Sequence, residues 1–80
     1  MHELGVLKTA LGRVQKAADD ANILHIKTVT LEVGRSSNFV PEYFFKLYPA
    51  AREFYPATAS SELKIDMVDG DGLVIKEIAY

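Results

Sequence analysis

The first three residues, Met1, His2 and Glu3, form the segment of this chain that best suits metal chemistry. A histidine directly after the initiator puts its imidazole, its main-chain nitrogen and the terminal amine within one chelating reach, and the bulk of His2 opposes removal of Met1. These three nitrogens can occupy three corners of a square around a divalent ion, with Glu3 filling or capping the fourth. Tetragonal nitrogen and oxygen ligation suits Ni(II) or Cu(II) better than Zn(II) or Mg(II). The competing interpretation is a solvated terminal histidine, since chain termini are usually loose.

The second histidine, His25, has two interpretations: a further metal ligand, or a solvated turn residue at the entrance to a strand. It is not spaced from His2 as a ligand pair on a helix would be. Glu42 could approach the N-terminal site through the fold, but a position in the first turn of a helix explains it adequately. No nucleophile arrangement, phosphate loop or catalytic carboxylate pair is visible, so we do not expect an enzyme.

Composition sets the class of protein. Eighty residues with 49% hydrophobic content suit one small domain, spanning 1–80. The net charge of −2, with acids and bases interspersed, argues against a nucleic-acid partner. No apolar run is long enough to span a bilayer, and residues 1–20 do not form a secretory signal. With no cysteine in the chain, the simplest location is the cytoplasm. So small a core also leaves room for a homodimer.

Hydrophobic periodicity predicts five elements. Apolar residues at helical spacing predict a first helix that ends near residues 19–22, and Gly12 within it could admit a close approach by another backbone. Residues 25–33 alternate as a half-buried strand that Gly34 closes. Pro41 begins a second helix, in which Pro49 is expected to cause a kink or a split. The predicted apolar faces of the two helices consist of Leu4, Leu7, Leu11, Val14, Ala18 and Ala21, and of Phe44, Leu47, Tyr48, Ala51 and Phe54.

Two further strands complete the predicted order α-β-α-β-β. Residues 63–67 alternate as the second strand, 73–80 form the third, and Asp69-Gly70-Asp71-Gly72 between them is strong turn chemistry. We expect the first two strands to be parallel with a right-handed crossover, and the last two to pair antiparallel as a hairpin. The predicted fold class is α/β (α+β). It is a two-layer domain with a three-stranded mixed sheet and both helices on one face.

Several segments resemble the hydrogenase maturation nickel metallochaperones of the HypA/HybF family. The similarity covers nearly the whole chain in order: Met1-His2-Glu3-Leu4, Leu31-Glu32-Val33-Gly34, Val40-Pro41-Glu42, Glu62-Leu63-Lys64-Ile65 and Leu73-Val74-Ile75-Lys76-Glu77-Ile78. The resemblance implies a metallochaperone that delivers Ni(II) for assembly of nickel–iron hydrogenase and, in some organisms, urease. It further implies a GTPase partner, and a nickel site at His2 and neighbouring main-chain nitrogens with Glu3 as the adjacent acid.

The sequence departs from the pattern of that family in three places. The zinc domain that the family inserts between its last two strands is replaced by the turn 69–72, so we expect no zinc. Arg35 and Asn38 stand where the family usually has an acid and a glycine, and Pro49 interrupts a helix. The alternative hypothesis is therefore a non-metal interaction module that kept the fold, lost nickel delivery and associates through an edge strand.

Overall fold

A computed structural model describes residues 3–80, so Met1 and His2 lie outside the described part of the chain. The elements are α1 (Glu3–Asp20), β1 (Thr28–Gly34), α2 (Pro41–Ala51), β2 (Glu62–Val68) and β3 (Leu73–Ala79). Two single-turn 3₁₀ helices, Arg52–Phe54 and Pro56–Thr58, connect α2 to β2. The predicted order α-β-α-β-β, the α+β class and the mixed three-stranded sheet are confirmed.

The strands lie in the order β2-β1-β3. β1 pairs parallel with β2, as predicted, and antiparallel with β3. The predicted hairpin between the last two strands is wrong, because β1 lies between them. The residues of β1 are almost all buried, including Thr30 at 8% exposure on the sheet face opposite the helices. A strand this buried lies best between two neighbouring strands, and this placement of β1 outweighs the local Asp-Gly hairpin signal.

The turn 69–72 carries the chain from one side of β1 to the other. Flanking strands are about 10 Å apart across a central strand, and four residues can span about 13 Å, so the crossing is short but feasible. Two backbone N–H groups at the end of β1 and just after it donate to the turn: Gly34 to the Gly72 carbonyl at 2.8 Å and Ser36 to the Gly70 carbonyl at 2.9 Å. Between them, the Arg35 N–H donates to the carbonyl of Val68, the last residue of β2, at 2.9 Å. Gly34 lies against this crossing so closely that a Cβ there would collide with the Gly70 carbonyl oxygen.

One hydrophobic core fills the space between the helices and the sheet. The buried side of α1 shares it with Val29, Leu31 and Val33 of β1, so both helices cover the same sheet face. The core residues are Leu7, Leu11, Val14, Ala18, Ile26, Val29, Leu31, Val33, Phe44, Tyr48, Ala51 and Ala57. Most of the predicted helical faces are therefore confirmed, but Leu4 and Ala21 are exposed.

For the second helix, the structure excludes one of the two outcomes predicted for Pro49, and it differs from the prediction for Phe54. It is not split at Pro49: the α-helix runs without interruption to Ala51 and then tightens into the 3₁₀ turn. Pro49 has no N–H group, so the Phe45 carbonyl lacks its helical hydrogen bond. Both residues are exposed, and water can therefore bond to the Phe45 carbonyl oxygen. Phe54, predicted on the apolar face, lies in that 3₁₀ turn with 58% exposure, and the Lys8 ammonium sits 4.2 Å from its ring centroid. The close neighbour of Gly12 is a side chain, the Tyr55 hydroxyl, and not a backbone.

A buried polar network joins α2 to the start of β2. The Tyr48 hydroxyl lies 2.6 Å from the Ser61 Oγ, which in turn donates to the Thr58 carbonyl at 2.7 Å. Arg52 donates from Nη1 to the Ser61 carbonyl at 2.7 Å. Burial raises the pKa of Tyr48 above its ordinary value of 10.0, and the Ser61 hydrogen bond and the Arg52 charge offset only part of this rise.

We predict that Gly34→Ala lowers the free energy of unfolding by about 1–3 kcal/mol, because the added methyl group forces the crossing away from β1. Urea denaturation followed by circular dichroism measures the change. The matched control is Gly5→Ala in α1, where a Cβ would meet nothing within 4 Å. In that variant the free energy of unfolding should rise by about 0.5–1 kcal/mol, because alanine has the higher helix propensity. A Gly34→Ala protein as stable as the wild type would contradict the close packing.

Tyr48 also makes stability depend on alkaline pH. The folded state holds the phenol proton more tightly than the unfolded chain, so the stabilisation is complete below pH 10 and is lost as the pH rises through the raised pKa. We expect Tyr48→Phe to cost about 1 kcal/mol at neutral pH and to reduce the loss of stability above pH 10. Tyr43→Phe, on the exposed side of α2, should leave the alkaline loss unchanged in the same pH series of urea denaturations.

Candidate metal site at the amino terminus

Of the three residues predicted to bind metal, the structure describes only Glu3. Met1 and His2 lie outside the described residues. Glu3 is the first residue of α1 and is partly buried. Its carboxylate therefore lies at the positive end of the helix dipole. A cation bound at this end would be opposed by the dipole, and the negative charge of Glu3 reduces that cost.

The helix that follows Glu3 has a fixed position in the domain. Leu7, Leu11 and Val14 are almost completely buried on its inner side, at the three- and four-residue spacing of one helical face. In the second half of α1, the Gln15 side-chain oxygen accepts a hydrogen bond of 2.9 Å from the Ala57 N–H. Apolar packing thus holds α1 against the sheet, and a polar contact joins it to the 3₁₀ turn Pro56–Thr58.

An open groove of about 880 Å³ begins at the first turns of α1. One wall is α1, from Gly5 to Arg13, and the other is the first half of β3, with Phe39 from the β1–α2 loop. The lining is mostly apolar. The lining residues are Gly5, Val6, Thr9, Ala10, Arg13, Phe39, Gly72, Leu73, Val74 and Ile75. The region next to the candidate metal site is therefore a concave surface that can receive another molecule.

The β1–α2 loop forms the end of this groove. The Ser37 hydroxyl donates to the Gly34 carbonyl at 2.6 Å and accepts from the Phe39 N–H at 3.2 Å. Phe39 then packs against Phe44, with ring centroids 5.4 Å apart. Asn38 has a φ of 67°, a left-handed conformation that Asn adopts more readily than most residues. Asn therefore replaces the glycine expected from the resemblance without loss of the turn.

Arg35, the other departure in this loop, pairs with the crossing between β2 and β3. Its Nη1 donates to the Asp69 Oδ1 at 2.8 Å, and both side chains are largely exposed. An exposed pair of this kind contributes little to stability, typically 0–1 kcal/mol. It does link the loop to the point where the resemblance places a zinc domain.

His25 lies far from Glu3. The residue after it, Ile26, donates from its backbone to the Ala57 carbonyl, and Ala57 also contacts Gln15. Gln15 is about 18 Å along the helix axis from Glu3. His25 is also exposed. The structure therefore does not bring His25 to the amino-terminal end of α1, which favours the interpretation of a solvated histidine.

Glu42 lies in the first turn of α2 and is exposed, which fits the predicted role at the helix start. Within residues 3–80, no group of three or more His, Cys, Asp or Glu side chains could hold a metal ion. Neither α1 nor any other helix among these residues has the length and hydrophobicity of a membrane span. The groove itself was not predicted from the sequence, because its two walls are separated by more than fifty residues.

Comparisons with known proteins agree with this architecture. The fold is similar to the solution structure of the Ni metallochaperone HypA from Helicobacter pylori, with a TM-score of 0.76 and 14% identity over 96% of this chain and 88% of that one. A second solution structure of a HypA protein gives a TM-score of 0.69 and 22% identity over 89% and 58% of the two chains. At these identities the likeness shows the fold alone. No individual curated protein matches the chain by sequence.

A family model described as "Hydrogenase/urease nickel incorporation, metallochaperone, hypA" matches residues 1–79. The match confirms the resemblance found in the sequence motifs, and it includes the first three residues. It also confirms that the chain is not an enzyme, because members of the family are metallochaperones. The chain therefore belongs to the HypA family of hydrogenase and urease nickel-incorporation metallochaperones.

Proposed function

We propose that this protein binds Ni(II) at its amino terminus and delivers it during maturation of nickel–iron hydrogenase, with urease as a second recipient. The ligands are the Met1 amine, the His2 main-chain nitrogen and the His2 imidazole, with Glu3 assisting. The observation that carries the proposal is the family match, which includes these residues. A maturation GTPase and a hydrogenase or urease precursor are the proposed partners. The cytoplasmic location expected from the sequence stays a prediction.

The chemistry of the motif suits a protein that must release its metal. The two residues with the nitrogen ligands precede Glu3 in sequence, and the hydrophobic core of the described residues begins at Leu7. Binding requires deprotonated nitrogen ligands, so affinity falls as pH falls and protons compete with the metal. A recipient that offers its own ligands could therefore take the ion by ligand exchange.

The connection between β2 and β3 supports a form of the family fold without an inserted zinc domain. Residues 69–72 complete the crossing on their own, and hydrogen bonds from the end of β1 fix them. With no cysteine in the sequence, we propose that Ni(II) is the metal cargo and that no zinc is bound. Any control of delivery that depends on a zinc domain would then be missing.

We predict that His2→Ala abolishes stoichiometric nickel binding, because both the imidazole and its chelate ring with the amine are lost. Isothermal titration calorimetry of untagged protein with Ni(II) measures this. The matched control is His25→Ala, which removes the only other histidine and should keep wild-type affinity. Acetylation of the Met1 amine, or an N-terminal tag, should also weaken binding. Unchanged 1:1 binding by folded His2→Ala protein would refute the proposed site.

The alternative function is a non-metal interaction module. The apolar groove between α1 and β3 favours it, since such a surface can bind a partner without metal. The two functions differ in one measurement: the alternative expects no nickel binding tighter than millimolar on a native N-terminus, and the metallochaperone expects tight 1:1 binding.

A further inference from the structure

β2 is an edge strand with no neighbour on its outer side within residues 3–80. Its ladder with β1 is regular over all of Glu62–Val68. The other edge strand, β3, contains a bulge: Thr30 pairs with Glu77 and Leu31 pairs with Ile75, which leaves Lys76 as the extra residue. Bulges on edge strands discourage pairing with another chain. β2 is therefore the edge better suited to strand addition.

The hydrogen bonds to β1 show which residues of β2 face outward. The Glu62 N–H donates to the Lys27 carbonyl at 2.8 Å, and the Val68 carbonyl accepts from the Arg35 N–H at 2.9 Å. Because successive residues of a strand direct their backbone groups to alternate sides, Lys64 and Asp66 also face β1. The N–H and C=O groups of Leu63, Ile65 and Met67 therefore point away from the sheet.

The sequence of β2 is complementary to itself when it is reversed around Ile65. In an antiparallel pair of two copies with Ile65 opposite Ile65, Leu63 lies opposite Met67, and Lys64 lies opposite Asp66. The outward-facing residues then exchange the backbone hydrogen bonds. The Lys–Asp pairs occupy the positions without these bonds, where side chains are closest. Apolar side chains meet on the helix-covered face, and opposite charges meet on the other.

We propose that two copies of this chain associate through β2 in this register. Their sheets then form one continuous sheet with the antiparallel pair of β2 strands at its centre. The dimer is isologous, because each contact between one copy and the other occurs twice about the two-fold axis. It covers Met67, which is 36% exposed in the single chain. Asp66 already accepts a hydrogen bond from Lys76 at 2.7 Å. The Lys64 ammonium of the second copy would approach the same carboxylate and reduce the local negative charge.

Charge selects this register over its neighbours. A shift of two residues in one direction puts Lys64 opposite Lys64 and Glu62 opposite Asp66, and a shift in the other direction puts Asp66 opposite Asp66. Like charges directly opposite are destabilising. Odd shifts are excluded because they would place the outward-facing backbone groups opposite inward-facing ones. Among these registers, only the proposed one places Lys64, the edge lysine that would otherwise protect the strand from pairing, opposite an acid.

The test uses the full chain without metal, so its result is independent of the nickel site. Sedimentation equilibrium over a concentration series should show an association to about twice the 8.9 kDa mass of one chain. Lys64→Asp places Asp opposite Asp, and Asp66→Lys places Lys opposite Lys, so each variant alone should be monomeric. An equimolar mixture of the two variants restores Asp–Lys pairs at both positions and should recover the dimer. Circular dichroism checks that both variants are folded.

Single cysteines test the register, because the chain has none of its own. Cα atoms of a directly opposed, hydrogen-bonded pair are about 5.5 Å apart, within the range that a disulfide requires. Ile65→Cys should therefore form a covalent dimer under mild oxidation. The control, Val74→Cys on β3, is 56% exposed and should form no covalent dimer under the same oxidation. A wild type that stays monomeric up to millimolar concentration, or a variant mixture that does not recover the dimer, would overturn the proposal.

Discussion

Gly34 packs directly against the backbone of Gly70 and Asp71. A Cβ atom at position 34 would lie 2.7 Å from the carbonyl carbon of each of these residues. This contact, with the hydrogen bonds around it, allows four residues to carry the chain over the end of β1. Because the crossing succeeds, β1 has a strand on each side and becomes the most buried strand of the sheet. The mixed sheet, the single covered face and the groove beside α1 all depend on that central position.

The sequence predicts the elements of this fold well, because periodicity is a local property. It also predicts the parallel pair β1–β2, since a crossover through α2 permits little else. It fails for the last two strands because the Asp-Gly turn is a local hairpin signal, and the placement of β3 on the far side of β1 outweighs that signal. That placement depends on the burial of Thr30 and its neighbours in β1. That is a property of the assembled sheet and not of the turn.

The candidate site also has one part that the sequence predicts and another part that only the fold reveals. Met1, His2 and Glu3 are consecutive, so their chemistry can be interpreted directly from the sequence. The groove combines Phe39 with the start of β3 and the first turns of α1, and only the fold brings those segments together. The change of Phe54 from an expected core residue to an exposed partner of Lys8 has a related origin. The α-helix ends at Ala51, and the 3₁₀ turn that follows rotates Phe54 off the helical face.

The antiparallel direction of β3 has a practical result. Ala79 pairs with Thr28 at the start of β1, and the Lys27 N–H donates to its carbonyl at 2.8 Å. Tyr80 therefore follows the end of β3 that lies at the start of β1, where Ile26 bonds to Ala57 and Ala57 contacts Gln15 in the second half of α1. A tether attached after Tyr80 would immobilise the protein on a solid support with the start of α1 directed toward the solution.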